Sequence, residues 1–179
     1  MTDEADLAGP GWARRWLQTC GRVERAVTFS AFLLMVAVVF ADVAARELSG
    51  TGLHWARQVG VYANLVVVMF GIGLASADGA HLRPRFADGW LPAAWEPWLT
   101  RVSEWLMALF CVGFAIVAGG VVADSYAMGE RSAVLRVVVW PMQAVIPVAF
   151  SLAAARHALF GFFPALRPAD DKSTAERGA

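Results

Sequence analysis

Few residues in this chain could do chemistry, and their positions limit what that chemistry could be. The three histidines, His54, His81 and His157, lie near the ends of apolar runs and not in their middles. That placement argues against paired axial ligands to a haem held between facing helices. The two cysteines, Cys20 and Cys111, form no Cys-x-x-Cys pair, so neither a redox pair nor a disulfide framework is expected. Asp42 is the one charge inside the first long apolar run, and Arg46 follows it at helical spacing. A carboxylate at the bilayer centre costs roughly 2.5–3.5 kcal/mol, less near an interface, and an arginine four residues on can pair with it. Asp42 therefore reads as a helix-end ion pair ahead of an ion-coupling site. Asn64 and Gln143 are polar residues in mid-run, with Ser30 and Ser151 nearer run ends. Such side chains more often join helices than bind substrate. Phosphate loops, nucleophile elbows and metal-ligand spacings are absent from the sequence. The expectation is a chain with no catalytic residue, no metal ligand and no cofactor.

The elements that carry these residues are written in the composition. The chain has 179 residues, 58% hydrophobic and 17% charged, with a mean hydropathy of +0.53. A soluble domain would carry about 25% charged residues. Lysines and arginines number 15, as do acids, so no net field points to nucleic acid. Four apolar runs stand out, at about residues 27–45, 59–77, 105–123 and 137–155. Nineteen helical residues reach about 28 Å, close to the hydrocarbon thickness of a bilayer. Before the first run, Trp12, Trp16, Cys20, Val23 and Val27 recur at steps of three and four, the pattern of a helix lying in the headgroup layer. The expected fold class is an all-α integral membrane protein: four transmembrane helices and an N-terminal interfacial amphipathic helix. Its domain spans 12–166, between a disordered N-terminus (1–11) and a disordered cytoplasmic tail (167–179). No short apolar core with a small-residue cleavage site follows the acidic start, so no cleaved signal peptide is expected. Pro147 predicts a bend in the fourth span.

Basic residues sort unevenly between the two sides. Eleven fall in the N-terminal part, the middle connection and the C-terminal part; four (Arg46, Arg57, Arg131, Arg136) fall in the other two loops. The positive-inside rule then puts both termini in the cytoplasm and Trp55 outside. All eight tryptophans lie at or near span ends, as an aromatic belt requires.

The stretch from Arg46 to His81 carries a resemblance. Val43-Ala44-Ala45-Arg46 closes the first span, a short loop leads to Trp55, Tyr62 follows seven positions on, Gly71 lies mid-span, and Gly79-Ala80-His81-Leu82 ends the run. Trp140-Pro141 and Ile146-Pro147 mark the last span. In this ordered set, over roughly residues 20–165, the chain resembles the small membrane subunit (the DctQ-like, or Q, component) of tripartite ATP-independent periplasmic (TRAP) transporters. It departs where that family often has two acids after the tryptophan, here Arg57 and Gln58. It departs again at Val61, where an arginine often precedes the tyrosine, and at Arg85, where an aspartate is frequent.

The resemblance implies a non-catalytic small permease subunit of the bacterial inner membrane, in a sodium-coupled transporter for organic acids. It would brace the scaffold of a large membrane subunit that binds substrate, while a periplasmic substrate-binding protein delivers it. Arg46, Trp55, Gly71, Ala75, His81 and Trp140 are then the expected partner-interface residues. Two other readings remain open: a self-contained four-helix transporter working as a homodimer, which would rest on Asp42, and a membrane anchor of an oxidoreductase.

Overall fold

A computed structural model describes residues 10–77 and 96–167. The first helix, α1, is Gly11–Ser49, 39 residues without interruption. At about 1.5 Å per residue it is about 58 Å long, nearly twice a bilayer's hydrocarbon thickness. The amphipathic segment from Trp12 is therefore continuous with the first span. Apolarity marks where hydrocarbon begins, not where hydrogen bonding stops, so the helix has no reason to break at Val27. Its inward face differs in detail from the apolar stripe. Trp16, Cys20 and Val27 are half-buried, but Trp12 and Val23 are exposed, while Ala13, Glu24 and Val38 are buried. The charge of Glu24 needs a partner more than Val23 needs cover, because lipid accepts an exposed valine.

Gly50 ends α1 in the left-handed region (φ 73°), its N–H donating to the Arg46 carbonyl at 3.0 Å. A residue with a Cβ takes that conformation at a cost, glycine without one. After a short turn, α2 is Ala56–Ala77. The third helix, α3, is Glu96–Met128, 33 residues, closed by Gly129 with φ 63°. Residues 130–139 form a compact loop pinned by an antiparallel bridge between Arg131 and Val138. Within it the Ser132 N–H donates to the Val137 carbonyl at 2.9 Å. The fourth span begins after this loop, as a short turn, α4 (Trp140–Gln143), running into α5 (Val145–Phe162). Pro141 sits in the first turn of α4, where its missing N–H removes no bond. The hitch at Ala144 lies three residues before Pro147, which has no N–H to give to the Gln143 carbonyl.

The packing order is α1–α2–α5–α3. Helix α1 packs along α2, α5 packs along α3, and α2 meets α5 between the two pairs. Burial follows that order. A third (33%) of the most apolar stretch of the fourth span is covered, against 6% for α1. The arrangement is an open row more than a closed bundle, and it leaves broad apolar faces on α1 and α3. Close approach within the α3/α5 pair uses Gly161, where an added Cβ would lie 3.0 Å from the Trp105 indole nitrogen. Trp105 also stands edge-on to Phe162, centroids 4.7 Å apart.

Candidate functional site

Polar groups gather at the two ends of the row. At the loop end, Asp42 on α1 accepts from Arg46 Nη2 at 2.5 Å and from the Leu53 backbone N–H at 2.6 Å. Both carboxylate oxygens are thus engaged, one by a side chain a turn away and one by the connecting loop. The pair folds tightly under the loop. A Cβ at Gly52 would lie 2.6 Å from Arg46 Nε and 2.8 Å from Asp42 Oδ1, so a side chain there would have to displace the pair. Beside this pair opens a groove of about 610 Å³, with Arg46, Leu53, His54 and Arg57 on its wall and Val134 contributed by the loop before α4. Gln58 ties that second loop down. Its Nε2 donates to the Tyr62 hydroxyl at 2.7 Å, and its Oε1 accepts from the Leu135 N–H at 3.1 Å. Gln58 is here a neutral staple between α2 and the 130–139 loop.

At the other end, two consecutive residues of α5 reach in opposite directions. Arg156 donates to the Glu24 carboxylate on α1 and to the Gly73 carbonyl on α2. Arg156 is 1% exposed and Glu24 2%. His157 Nδ1 lies 2.7 Å from Glu104 Oε2 on α3, also buried. Arg167 Nε approaches the second Glu104 oxygen at 3.8 Å. One layer of charge therefore touches all four long helices. Gly73 makes room for it, since a Cβ there would sit 3.1 Å from Glu24 Oε1. Such a layer is structural chemistry: every carboxylate in it has a cationic or imidazole partner, and breaking one pair strands a buried charge.

The expected interface residues do not form one site. Arg46 is exposed at the groove. Trp55 is half-buried in the adjoining turn, where its carbonyl accepts from Gln58 and Val59. Gly71 and Ala75 lie toward the opposite end of α2; Gly71 has nothing within 4 Å of an added Cβ, and Ala75 is exposed. Trp140 is half-buried, edge-on to Tyr126 at 5.7 Å. His81 lies outside the described residues. Among the described residues, no group of three or more His, Cys, Asp or Glu side chains could hold a metal ion.

The residues that sequence reasoning passed over are Glu24, Glu104 and Arg156. A signal existed. Glu24 falls between Cys20 and Thr28 on one helical stripe, and Arg156-His157 directly closes an apolar run. Complementary charges at the same depth on different helices can be paired on paper, but which helices adjoin cannot be read that way.

Among the described residues, Asn64, in mid-span, does not join helices. It is exposed on the outer face of α2 with Val61, Val68 and Ile72, and has no hydrogen-bond partner among the described residues. Gln143 is half-buried, with its carbonyl oxygen buried and unpartnered.

Among known families, the model described as tripartite ATP-independent periplasmic transporters, DctQ component, matches residues 35–161. No curated protein and no solved structure matches the chain.

Proposed function

From the premise that this chain belongs to the DctQ family, a component of tripartite ATP-independent periplasmic transporters, we propose that it braces the scaffold of a large membrane subunit and has no catalytic step of its own. The carrying observation is Asn64. It stands near the midpoint of the span Ala56–Ala75, on an outward face, with no hydrogen-bond partner among the described residues. Hydrocarbon offers no water to an exposed amide, so such a residue is best placed against another protein. The same face continues through Gly71 and Ala75, where small residues allow a second helix to approach closely. The row-like packing fits this role, because one layer of helices presents a broad side to a larger body.

In this reading the large subunit carries sodium coupling and the transport of an organic acid, and a periplasmic binding protein delivers the substrate. The chain is a multi-pass protein of the inner membrane with both termini in the cytoplasm. Arg46, Trp55 and Trp140 then lie at the outer edge, Gly71 and Ala75 toward the inner one. A self-contained carrier would rest on Asp42, and both oxygens of that carboxylate are already engaged at the helix end.

The test is purification of the tagged chain from its native membrane, together with solute uptake by cells lacking it. Co-purification of a large polytopic subunit and loss of uptake are the expected results. Uptake that survives the deletion defeats the proposal, as does solute flux by the chain reconstituted alone.

A further inference from the structure

We propose that the outer stripe of α1 binds an anionic phospholipid, with Arg22 and Arg25 taking the phosphate and the apolar residues beyond them lying against its acyl chains. Arg22, Arg25, Phe29, Leu33, Val36 and Phe40 recur at steps of three and four, so they share one side of the helix. All of them are exposed, and Ala13, Glu24 and Val38 are buried on the opposite side. The stripe changes character once, between Arg25 and Phe29, where the apolar run begins. At about 1.5 Å per residue, Arg25 and Arg22 stand about 3 and about 8 Å outside Val27 along the helix, the depth of the headgroup layer. Neither arginine has an ion-pair partner among the described residues, and their stripe carries no acid. Glu24 lies behind them and is held by Arg156. Residues three apart on a helix are neighbours, so both guanidinium groups can address one phosphodiester, each with paired N–H donors.

The side chains of the stripe favour lipid over a second protein. Where helices of this chain meet closely, small residues make the room: Gly73 beside the Glu24–Arg156 pair, and Gly161 against Trp105. The α1 stripe holds two phenylalanines, a leucine and a valine instead. Only 6% of the most apolar part of α1 is covered by the rest of the chain. Bulky apolar side chains keep a second helix at a distance, whereas acyl chains conform to them. Charge then selects among lipids. A zwitterionic headgroup brings its own cation beside the phosphate and leaves the arginines unneutralised. An anionic headgroup neutralises them. Arg15, exposed seven residues before Arg22 on the same side, adds to the positive field that draws such a lipid.

The experiment equilibrates the purified full chain in detergent with equal amounts of phosphatidylglycerol and phosphatidylcholine, and counts the retained lipids by native mass spectrometry. Wild type is expected to retain phosphatidylglycerol over phosphatidylcholine by about fivefold or more, the factor for one basic residue at an anionic surface. The double variant Arg22→Gln with Arg25→Gln should lose that preference, with its Tm in lipid-free detergent unchanged because neither side chain is bonded among the described residues. Arg22→Lys with Arg25→Lys should keep much of the preference, since the charge remains. Arg57→Gln, an exposed arginine at the other end of the row, should keep all of it. Equal retention by wild type and the double glutamine variant overturns the assignment, as does an equal loss in Arg57→Gln, which would make the preference a diffuse charge effect. Displacement of the lipid by inorganic phosphate overturns it in favour of a free-anion site. Loss of the preference when the chain is purified with its large subunit overturns it in favour of a protein cover.

Discussion

Arg156 shows what a single side chain contributes here. Its guanidinium satisfies Glu24 on α1 and the Gly73 carbonyl on α2 from a site that is 1% exposed. Removing one member of a buried ion pair costs about 3–5 kcal/mol, whereas replacing both with apolar residues is often close to neutral. Arg156→Met should therefore lower the Tm of the purified protein in detergent, and the double change Glu24→Leu with Arg156→Met should recover most of the loss. If the double variant is no more stable than the single one, the pair is not the unit of stability. Gly52 acts through the space it leaves. Gly52→Ala would force a Cβ within 2.6 Å of Arg46 Nε, so it should part the Asp42–Arg46 pair and loosen the turn. Faster amide exchange at Leu53 is the readout, because its N–H is held by Asp42.

Among the elements, α2 has two kinds of face. Its inner side contacts α1 and α5, with Ala56, Ala63 and Gly73 buried. Its outer side combines apolar residues with Asn64. Asn64→Leu should leave the Tm of the isolated chain unchanged or slightly raised, since no internal bond is lost. It should reduce recovery of the large subunit in pull-downs by about five- to thirtyfold, the factor for one interhelical hydrogen bond of about 1–2 kcal/mol. Undiminished recovery would remove Asn64 from the interface. The continuous α1 makes a related point. Four spans were legible from the apolar runs, because hydrocarbon thickness imposes a length that sequence displays directly. The fusion of the amphipathic segment with the first span was not, since a headgroup-layer helix and a helical extension share one periodicity.

At the scale of the whole molecule, the charged layer and the groove lie at opposite ends of the row. The basic-residue count predicts that the layer's end is cytoplasmic. A phosphatase fused after Ala179, active only when exported, should therefore be silent, and a fluorescent fusion there should be bright. Fused after Thr51 the pattern should reverse. Activity of the phosphatase at Ala179 would invert the assignment and move the groove to the cytoplasmic side.

Composition and run length alone determined a membrane protein with four helical spans, because backbone polar groups in hydrocarbon must be satisfied within each span. The ordered residues from Arg46 to His81 pointed to the family, and the helical spacing of Asp42 and Arg46 to their pairing. Only the tertiary structure decided that Arg156 and His157 turn to different helices, that Gln58 ties down a loop 77 residues away, and that Asn64 faces outward. The reason is physical. Lipid accepts any apolar face, so hydrophobic periodicity no longer says which side of a helix is inside. In a bilayer the inward face is chosen by the few polar groups that must find one another, and those contacts exist only once the helices adjoin.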